Sequence, residues 1–514
     1  MAHTPSRARF VRLAFLAAPF LLAAVAAPAG ELVVTATNPT RNVNNAPRVG
    51  SVSITFDRAL NRTTITPASL RIFGRSSGTV QGTYTFSNGD QTVTVTSARA
   101  FAGGEPVAVN LSRTIAAADG STLRSAGYAF SFFVAAAPSQ RAFTRIQTLN
   151  VRSPNNNATR AYGGLAFDLN RDGYADLAMV NEDSFDLRVF LNKHDGTGTY
   201  NAFLTPPTPI GHQASPNEPA DFNNDGQADA VTANVGDSSV SILLGRGDGT
   251  FNPQQQVPVG GSPHGVAVLD ADGDGDVDIV TANTTGNNMS LLLNNGAGVF
   301  GAATNFDSQG AGEYALSEAD MNNDGITDLV VGCRQDQTIH VLTGNGNGTF
   351  THRSGRGVGG NSWQMAVGDM NGDGNIDALS ANGESSNGAL LKGNGDGTLQ
   401  APVTVPSNGG AIASDVADLD GDGDLDWILS SFGAATWYVY KNNGLGVLTA
   451  DQTFDAPNAA SCSVPIDFDN DNDVDLALVD ELADVVLLYR NEGDGVFYDG
   501  FNGGTLSAWA SHVP

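Results

Sequence analysis

Residues 270–278 read DADGDGDVD, five aspartates in nine positions with no basic residue among them. Crowding like charges this closely costs free energy in a compact chain, so the stretch is built to meet something positive. The pattern recurs. DLNRDGYAD starts at Asp168, DFNNDGQAD at Asp221, DMNNDGITD at Asp320, DMNGDGNID at Asp369, DLDGDGDLD at Asp418 and DFDNDNDVD at Asp467. Successive starts lie 53, 49, 50, 49, 49 and 49 residues apart, and a fixed period of that size marks a solenoid, propeller or array.

Each copy is embedded in the same order of pieces. An alternating apolar run (GVAVLD) leads into the acidic loop, a second run (VDIVTAN) and a polar turn follow, then a third run (SLLLNN), a Gly-rich turn and a fourth extended piece. Short runs punctuated by Gly, Asn and Asp are strands, and four strands per repeat make a propeller blade. Seven repeats therefore predict a seven-bladed β-propeller in an all-β chain. No clear fourth strand follows Phe497, whereas FTRIQTLNV from Phe143 resembles the fourth-strand piece FNPQQQVPV from Phe251. That earlier segment is expected to complete blade seven and leave no free sheet edge. In blade two, SPNEPAD from Ser215 carries Pro216 and Pro219, so its inner strand is expected to be short or distorted.

Positions 1, 3, 5 and 9 of every nonapeptide are Asp or Asn, and position 6 is Gly in all but the last, where it is Asn472. Alternate side chains of a tight loop point into one concavity, and a residue with positive φ turns the backbone there. Oxygen donors without His or Cys suit Ca²⁺. The expected ligands are Asp168, Asn170, Asp172 and Asp176 in loop one; Asp221, Asn223, Asp225 and Asp229 in loop two; and Asp270, Asp272, Asp274 and Asp278 in loop three. Loop four supplies Asp320, Asn322, Asp324 and Asp328, loop five Asp369, Asn371, Asp373 and Asp377. Loop six supplies Asp418, Asp420, Asp422 and Asp426, and loop seven Asp467, Asp469, Asp471 and Asp475. Position 12 of the third loop is Thr281, in a strand, so this is not the helix-flanked loop that ends in Glu. The seven motifs and their surroundings, from about residue 140 to 498, resemble FG-GAP/VCBS repeats, the blades of integrin-α-like propellers. The resemblance implies calcium at the nonapeptides, up to seven structural ions.

Residues 30–135 lack the repeat. LVVTATNP, SVSITFD, SLRIFG, GTYTF, QTVTVTS, PVAVNLS and YAFSFFV read as about seven strands, a β-sandwich, with a hairpin turn at Asn88. The segment resembles the S-layer-type bacterial Ig-like domain, a module that commonly acts as a spacer. Residues 1–29 have Arg7, Arg9 and Arg12, then an apolar run, then small residues: the layout of a secretory signal peptide. Residues 136–142 read as a linker, 143–498 as the propeller and 499–514 as a tail. The expected location is outside a bacterial cell, at its surface or in the periplasm, without membrane insertion once the signal is removed.

The formal net charge of −28 disfavours nucleic acid and anionic membranes as partners. The seven loops hold 27 of the 54 acidic residues. Cys333 and Cys462 fall at non-equivalent positions of different repeats and read as separate buried thiols. GRSSG from Gly74 matches G-x-S-x-G, but no helix follows it, and RGD at residues 246–248 occupies a turn that other blades also have. The histidines are scattered and unpaired in sequence, so no catalytic metal is expected. Six positions before the first Asp of each loop stand Tyr162, Ser215, His264, Tyr314, Trp363, Ile412 and Ser461. If the acidic loops share one face, these residues ring the opposite mouth of the channel. Tyr162, His264, Tyr314 and Trp363 could there form a stacking platform, or each could pack beneath its own loop. The reading that follows is a non-enzymatic adhesion protein recognising an extracellular glycan or protein, its oligomeric state open. A polysaccharide-degrading enzyme and a structural matrix component are the alternatives.

Overall fold

The strands alternate where one face is wet and are uniformly buried where both faces are covered. In Ser51–Phe56, Val52, Ile54 and Phe56 point inward and the residues between them outward. In Asp278–Asn283 all six residues are buried, because this second strand of its blade has sibling blades packed on both faces. The computed structural model describes residues 30–152 and 155–493, so the predicted signal peptide and tail lie outside the described residues. Among the described residues the only helical segment is a three-residue 3₁₀ turn, Arg62–Thr64, and their strands form nine four-stranded sheets.

Two sheets form the N-terminal sandwich. One orders Val34–Asn38, Ser51–Phe56, Thr92–Ser97 and Gly82–Ser87; the other orders Gly78–Thr79, Leu70–Gly74, Pro106–Leu111 and Tyr128–Phe133. Between them Ile54, Val93, Val107, Val109, Phe130 and Phe132 make one core. The remaining seven sheets are the propeller blades, all antiparallel, and the first six are meanders read outward from the axis. Blade three, for example, runs Pro263–Leu269, Asp278–Asn283, Asn288–Leu292 and Thr304–Phe306.

Blade seven takes its fourth strand from before blade one. Ser139–Asn150 pairs antiparallel with Val485–Gly493, with Leu149 opposite Val486. The innermost strand of blade seven, Ala460–Ile466, packs against that of blade one, Ala161–Phe167. The strand starts at Ser139, so most of the segment read as a linker is ladder. Ala137 N donates to Asn472 O (2.7 Å) and Ser139 N to Asp420 O (3.0 Å), tying the junction to loops seven and six.

The inner strand of blade two is neither short nor disordered in pairing. Ala214–Ala220 has seven residues, as its siblings do, and a register shift at Ser215/Asn217 that all seven inner strands share. Pro216 falls at that shift. The channel-lining edge of an inner strand has no partner to receive an N–H, which is why proline is tolerated there.

Candidate functional site: acidic loops and channel mouth

Each acidic loop joins the first and second strands of its blade and curls around its first Asp. In loop one Asp168 accepts from Asp172 N and Gly173 N, both at 3.0 Å. Position 6 has φ between 75° and 92° in all seven loops, Asn472 included at 85°. Position 4 is left-handed too: Arg171, Asn224, Gly273, Asn323, Gly372, Gly421 and Asn470 have φ from 58° to 78°. Sequence reasoning missed this second turn, although Gly or Asn at six of the seven positions signalled it.

The ninth position has a structural task beyond ligation. Asp176 accepts from Leu169 N (3.1 Å) and from Asn192 N (2.8 Å), which joins the loop to the end of the third strand. Asp229, Asp278, Asp328, Asp377 and Asp475 repeat both bonds. These carboxylates are fully or almost fully buried, and desolvation pushes Asp176 up to about 7 and Asp229 and Asp328 up to about 8, against the pull of the N–H bonds. Asp278 and Asp475 are held well above the usual carboxylate range for the same reason.

Three loops bring carboxylates within 4.8 Å of one another: Asp270, Asp272 and Asp278; Asp418, Asp420 and Asp422; and Asp467, Asp469 and Asp475. In loops one, two and four position 3 is an Asn whose Nδ2 donates to the Asp at position 5, at 3.0, 2.9 and 2.9 Å. Buried carboxylate oxygens without a hydrogen bond, among them Asp420 Oδ1, Asp467 Oδ1 and both of Asp473, make these loops acceptor-rich and donor-poor. That oxygen-only set fits a hard divalent cation such as Ca²⁺.

The N-terminal sandwich and the junction after it sit on this face and touch all seven loops, so the module is not a free spacer. Arg99 Nη1 lies 2.8 Å from Asp168, Thr79 Oγ1 donates to Asp221 (2.7 Å), Arg113 stands 3.6 Å from Asp272 and Arg41 4.0 Å from Asp320. Asn44 Nδ2 donates to Asp369 O at 2.7 Å, and the junction holds loops six and seven as described above. The GRSSG turn belongs to this contact. Ser76 N and Ser77 N donate to buried Glu105, and Ser77 Oγ lies 2.6 Å from it, so the turn is a structural clasp.

Between them the two modules enclose a cavity of about 390 Å³ on the propeller axis. Arg75 enters it from the sandwich and meets Glu218 at 2.7 Å. Glu318 and Asp415 line the same space. Burial and the neighbouring Glu218 hold Glu318 above the usual range against the pull of Arg75. Burial lifts Asp415 to about 6 although Ser463 Oγ donates to it at 2.5 Å. Spacing alone could not reveal this group, because its members come from two modules and three blades.

At the far mouth Tyr162, His264, Tyr314 and Trp363 meet as one cluster rather than packing each beneath its own loop. Tyr162 Oη is 3.0 Å from His264 Nε2, His264 stacks on Tyr314 with ring centres 3.5 Å apart, and Tyr314 meets Trp363 edge-on at 5.0 Å. Arg334 caps the cluster, its guanidinium 3.9 Å from the Trp363 ring centre and 4.5 Å from that of Tyr314. Burial, with Arg334 nearby, lowers His264 to about 3, so it is neutral. Several polar ring faces are thus spent on one another, and Arg334, a residue the sequence did not single out, joins them through the variable turn of blade four.

Two further readings are settled by geometry. The RGD triplet sits in an ordinary blade turn: Asp248 accepts from Thr250 N and Oγ1 as Asp396 does from Thr398. The histidines are not all unpaired, since His340 Nδ1 and His352 Nε2 lie 2.9 Å apart. Twelve residues of sequence separate them, and a hairpin brings them together. Cys333 and Cys462 are free thiols.

The FG-GAP-like repeat family matches six overlapping stretches, 168–232, 221–281, 270–331, 320–380, 369–429 and 418–478, and the bacterial Ig-like domain family matches residues 29–134. No curated protein matches the sequence. Among solved structures, an Agrocybe aegerita lectin described as recognising non-reducing terminal N-acetylglucosamine is 19% identical, over 76% of this chain and 93% of its own, with a TM-score of 0.41. BBS1N in complex with ARL6DN is 11% identical over 68% and 97%, at 0.48. An auxiliary nutrient binding protein from Bacteroides ovatus is 12% identical over 91% and 99%, at 0.38. With its repeats matched from residue 168 to residue 478, more than half of its length, this chain belongs to the FG-GAP-like repeat family and carries a bacterial Ig-like domain at its N-terminus.

Proposed function

We propose that the protein is a secreted, calcium-stabilised binding protein that presents the propeller face opposite the sandwich to a polysaccharide or a surface protein. The observation that carries this reading is the division of the two faces. The sandwich covers the acidic loops, while the other mouth bears Trp363, Tyr314 and Arg334 among turns that differ from blade to blade. A rigid scaffold with variable loops at one end is a common design for recognition. Calcium adds positive charge beyond the few basic side chains that reach the loops, held by the side chains at positions 1, 3, 5 and 9, and so keeps the scaffold rigid. Binding of the full chain to a glycan and polysaccharide array in millimolar calcium, beside Trp363→Ala, tests the reading. A bound glycan lost in the variant is the expected result; binding unchanged in the variant removes the mouth from the site.

A second reading, a polysaccharide-degrading enzyme, draws on the enclosed carboxyls Glu318 and Asp415, whose raised proton affinity suits acid–base chemistry. Polysaccharide cleavage abolished by Glu318→Gln would favour it over pure binding.

A further inference from the structure

In blades one, two, three and five the second strand ends in an asparagine that acts as a hydrogen-bonding hub. Asn181 Nδ2 donates to Asp186 (2.9 Å), Asn234 to Ser239 and Ser241 (3.0 and 2.9 Å), Asn283 to Asn288 and Ser290 (2.9 and 2.8 Å), and Asn382 to Asn387 (2.7 Å). Blade four departs from this design. Its hub is Cys333, and His340 stands where Ser290 stands in blade three. The replacement is spatial as well as sequential. A Cβ added to Gly260 would lie 2.4 Å from Asn283 Nδ2, and one added to the equivalent Gly310 would lie 2.3 Å from Cys333 Sγ and 3.1 Å from His340 Nε2. Thiol and imidazole thus occupy the place of the amide.

We propose that this corner is a binding site for a zinc-class divalent ion, held by Cys333 Sγ, His340 Nε2 and the Asp336 carboxylate. One donor atom from each of the three lies within 4.8 Å of the others. His340 Nε2 and Asp336 Oδ2 are 3.5 Å apart, close to the spacing of two donors each about 2.1 Å from one tetrahedral ion. Sulfur and imidazole select zinc-class metals over the calcium expected elsewhere in the chain.

The surroundings support the assignment independently. His340 Nδ1 is 2.9 Å from His352 Nε2, the outer hydrogen bond that fixes the orientation of a metal-bound imidazole. Glu313, the cross-strand partner of Cys333, is completely buried; Ser308 Oγ donates to its Oε1 (2.7 Å), while its Oε2 has no hydrogen-bond partner. A cation in the corner offsets the negative charge that this buried carboxylate adds beside Asp336 and Cys333. Thr338 Oγ1 lies 2.7 Å from His340 Nε2 and 2.5 Å from Asp336 Oδ1; a metal takes the nitrogen and leaves the hydroxyl its bond to the carboxylate. The ion reaches the corner past Asp336, which is exposed, and Cys333 releases its thiol proton to water on binding.

Cobalt(II) reports such a site, because a thiolate ligand gives it a charge-transfer absorption. The full chain, in calcium and a reductant, is expected to develop that band with one equivalent of cobalt and to lose it on adding zinc. Cys333→Asn restores the residue of the sibling blades, so the fold should hold while the band disappears. Cys462→Ser should keep the band, and His352→Ala should weaken cobalt binding roughly 10- to 100-fold. Absence of the band in the unaltered protein, or its survival in a folded Cys333→Asn variant, overturns the proposal.

Discussion

Loops six and seven carry the same five aspartates but differ in the basic side chains that reach them. In loop six Lys441 Nζ contacts Asp420 and lies 3.3 Å from Asp422, and Arg141 is 3.3 Å from Asp420 and 4.0 Å from Asp426. In loop seven, among the described residues, no basic side chain comes within 4.0 Å of Asp467, Asp469, Asp471, Asp473 or Asp475. Burial and mutual repulsion push Asp467 up to about 7 and Asp469 to about 6, and burial lifts Asp418 and Asp426 of loop six to about 7 as well, so the ion pairs of loop six leave its two most buried carboxylates raised. The comparison teaches that one motif meets the chain's own cations at close range in one blade and only at longer range, from Arg48 and Arg490, in the next.

The largest expected effect is that of withholding calcium, the proposed counterion. Each filled loop contributes about 2.7 kcal/mol when the ion is at a hundredfold excess over its Kd. Calorimetry with and without chelator should therefore show a large fall in melting temperature, and superimposed curves would refute calcium as the counterion.

Proton uptake gives the next effect, with a definite sign. Folded-state values raised above the unfolded carboxylate mean that the folded, ion-free protein binds more protons, so its stability is greatest below about pH 4 as far as these groups are concerned. That contribution is lost as pH rises through about 7, the folded value for Asp467 and Asp418. The chelated protein should melt lower at pH 8 than at pH 5, and calcium should suppress the difference.

Single loops sharpen the contrast. Asp471→Asn should remove one bound calcium and lower the melting temperature more than Asp422→Asn, whose loop keeps Lys441 and Arg141; calorimetric titration counts the ions. Equal losses would mean that internal cations do not substitute for calcium. The smallest change is Lys441→Met, which frees loop six of a half-exposed competitor. Its calcium affinity should rise a few-fold, in keeping with about 1 kcal/mol for a solvent-screened ion pair, as measured by the same titration.

Much of the fold was legible because its causes are local. Asp at alternate positions and a residue able to adopt positive φ at position 6 describe a loop without reference to anything distant, and Asn472 fulfils that role with φ 85°. The borrowed strand at Phe143 was legible by likeness to its siblings. Blade two misled because its prolines were weighed against an ordinary strand, whereas the inner strand has one edge facing the channel. The pair of His340 and His352 was hidden because the hairpin register that joins them leaves no spacing signature.

The sequence alone determined the number of blades, the place of each acidic loop and the chemistry of its donors, since period, charge and turn preference are properties of short stretches. Only the tertiary structure decided which loops have internal cations, that the sandwich covers the loop face with Arg75 inside the channel, and that four aromatic rings share one cluster with Arg334. These arrangements depend on side chains from different blades and modules meeting at a few ångströms, and closure of the ring, not spacing along the chain, sets those distances.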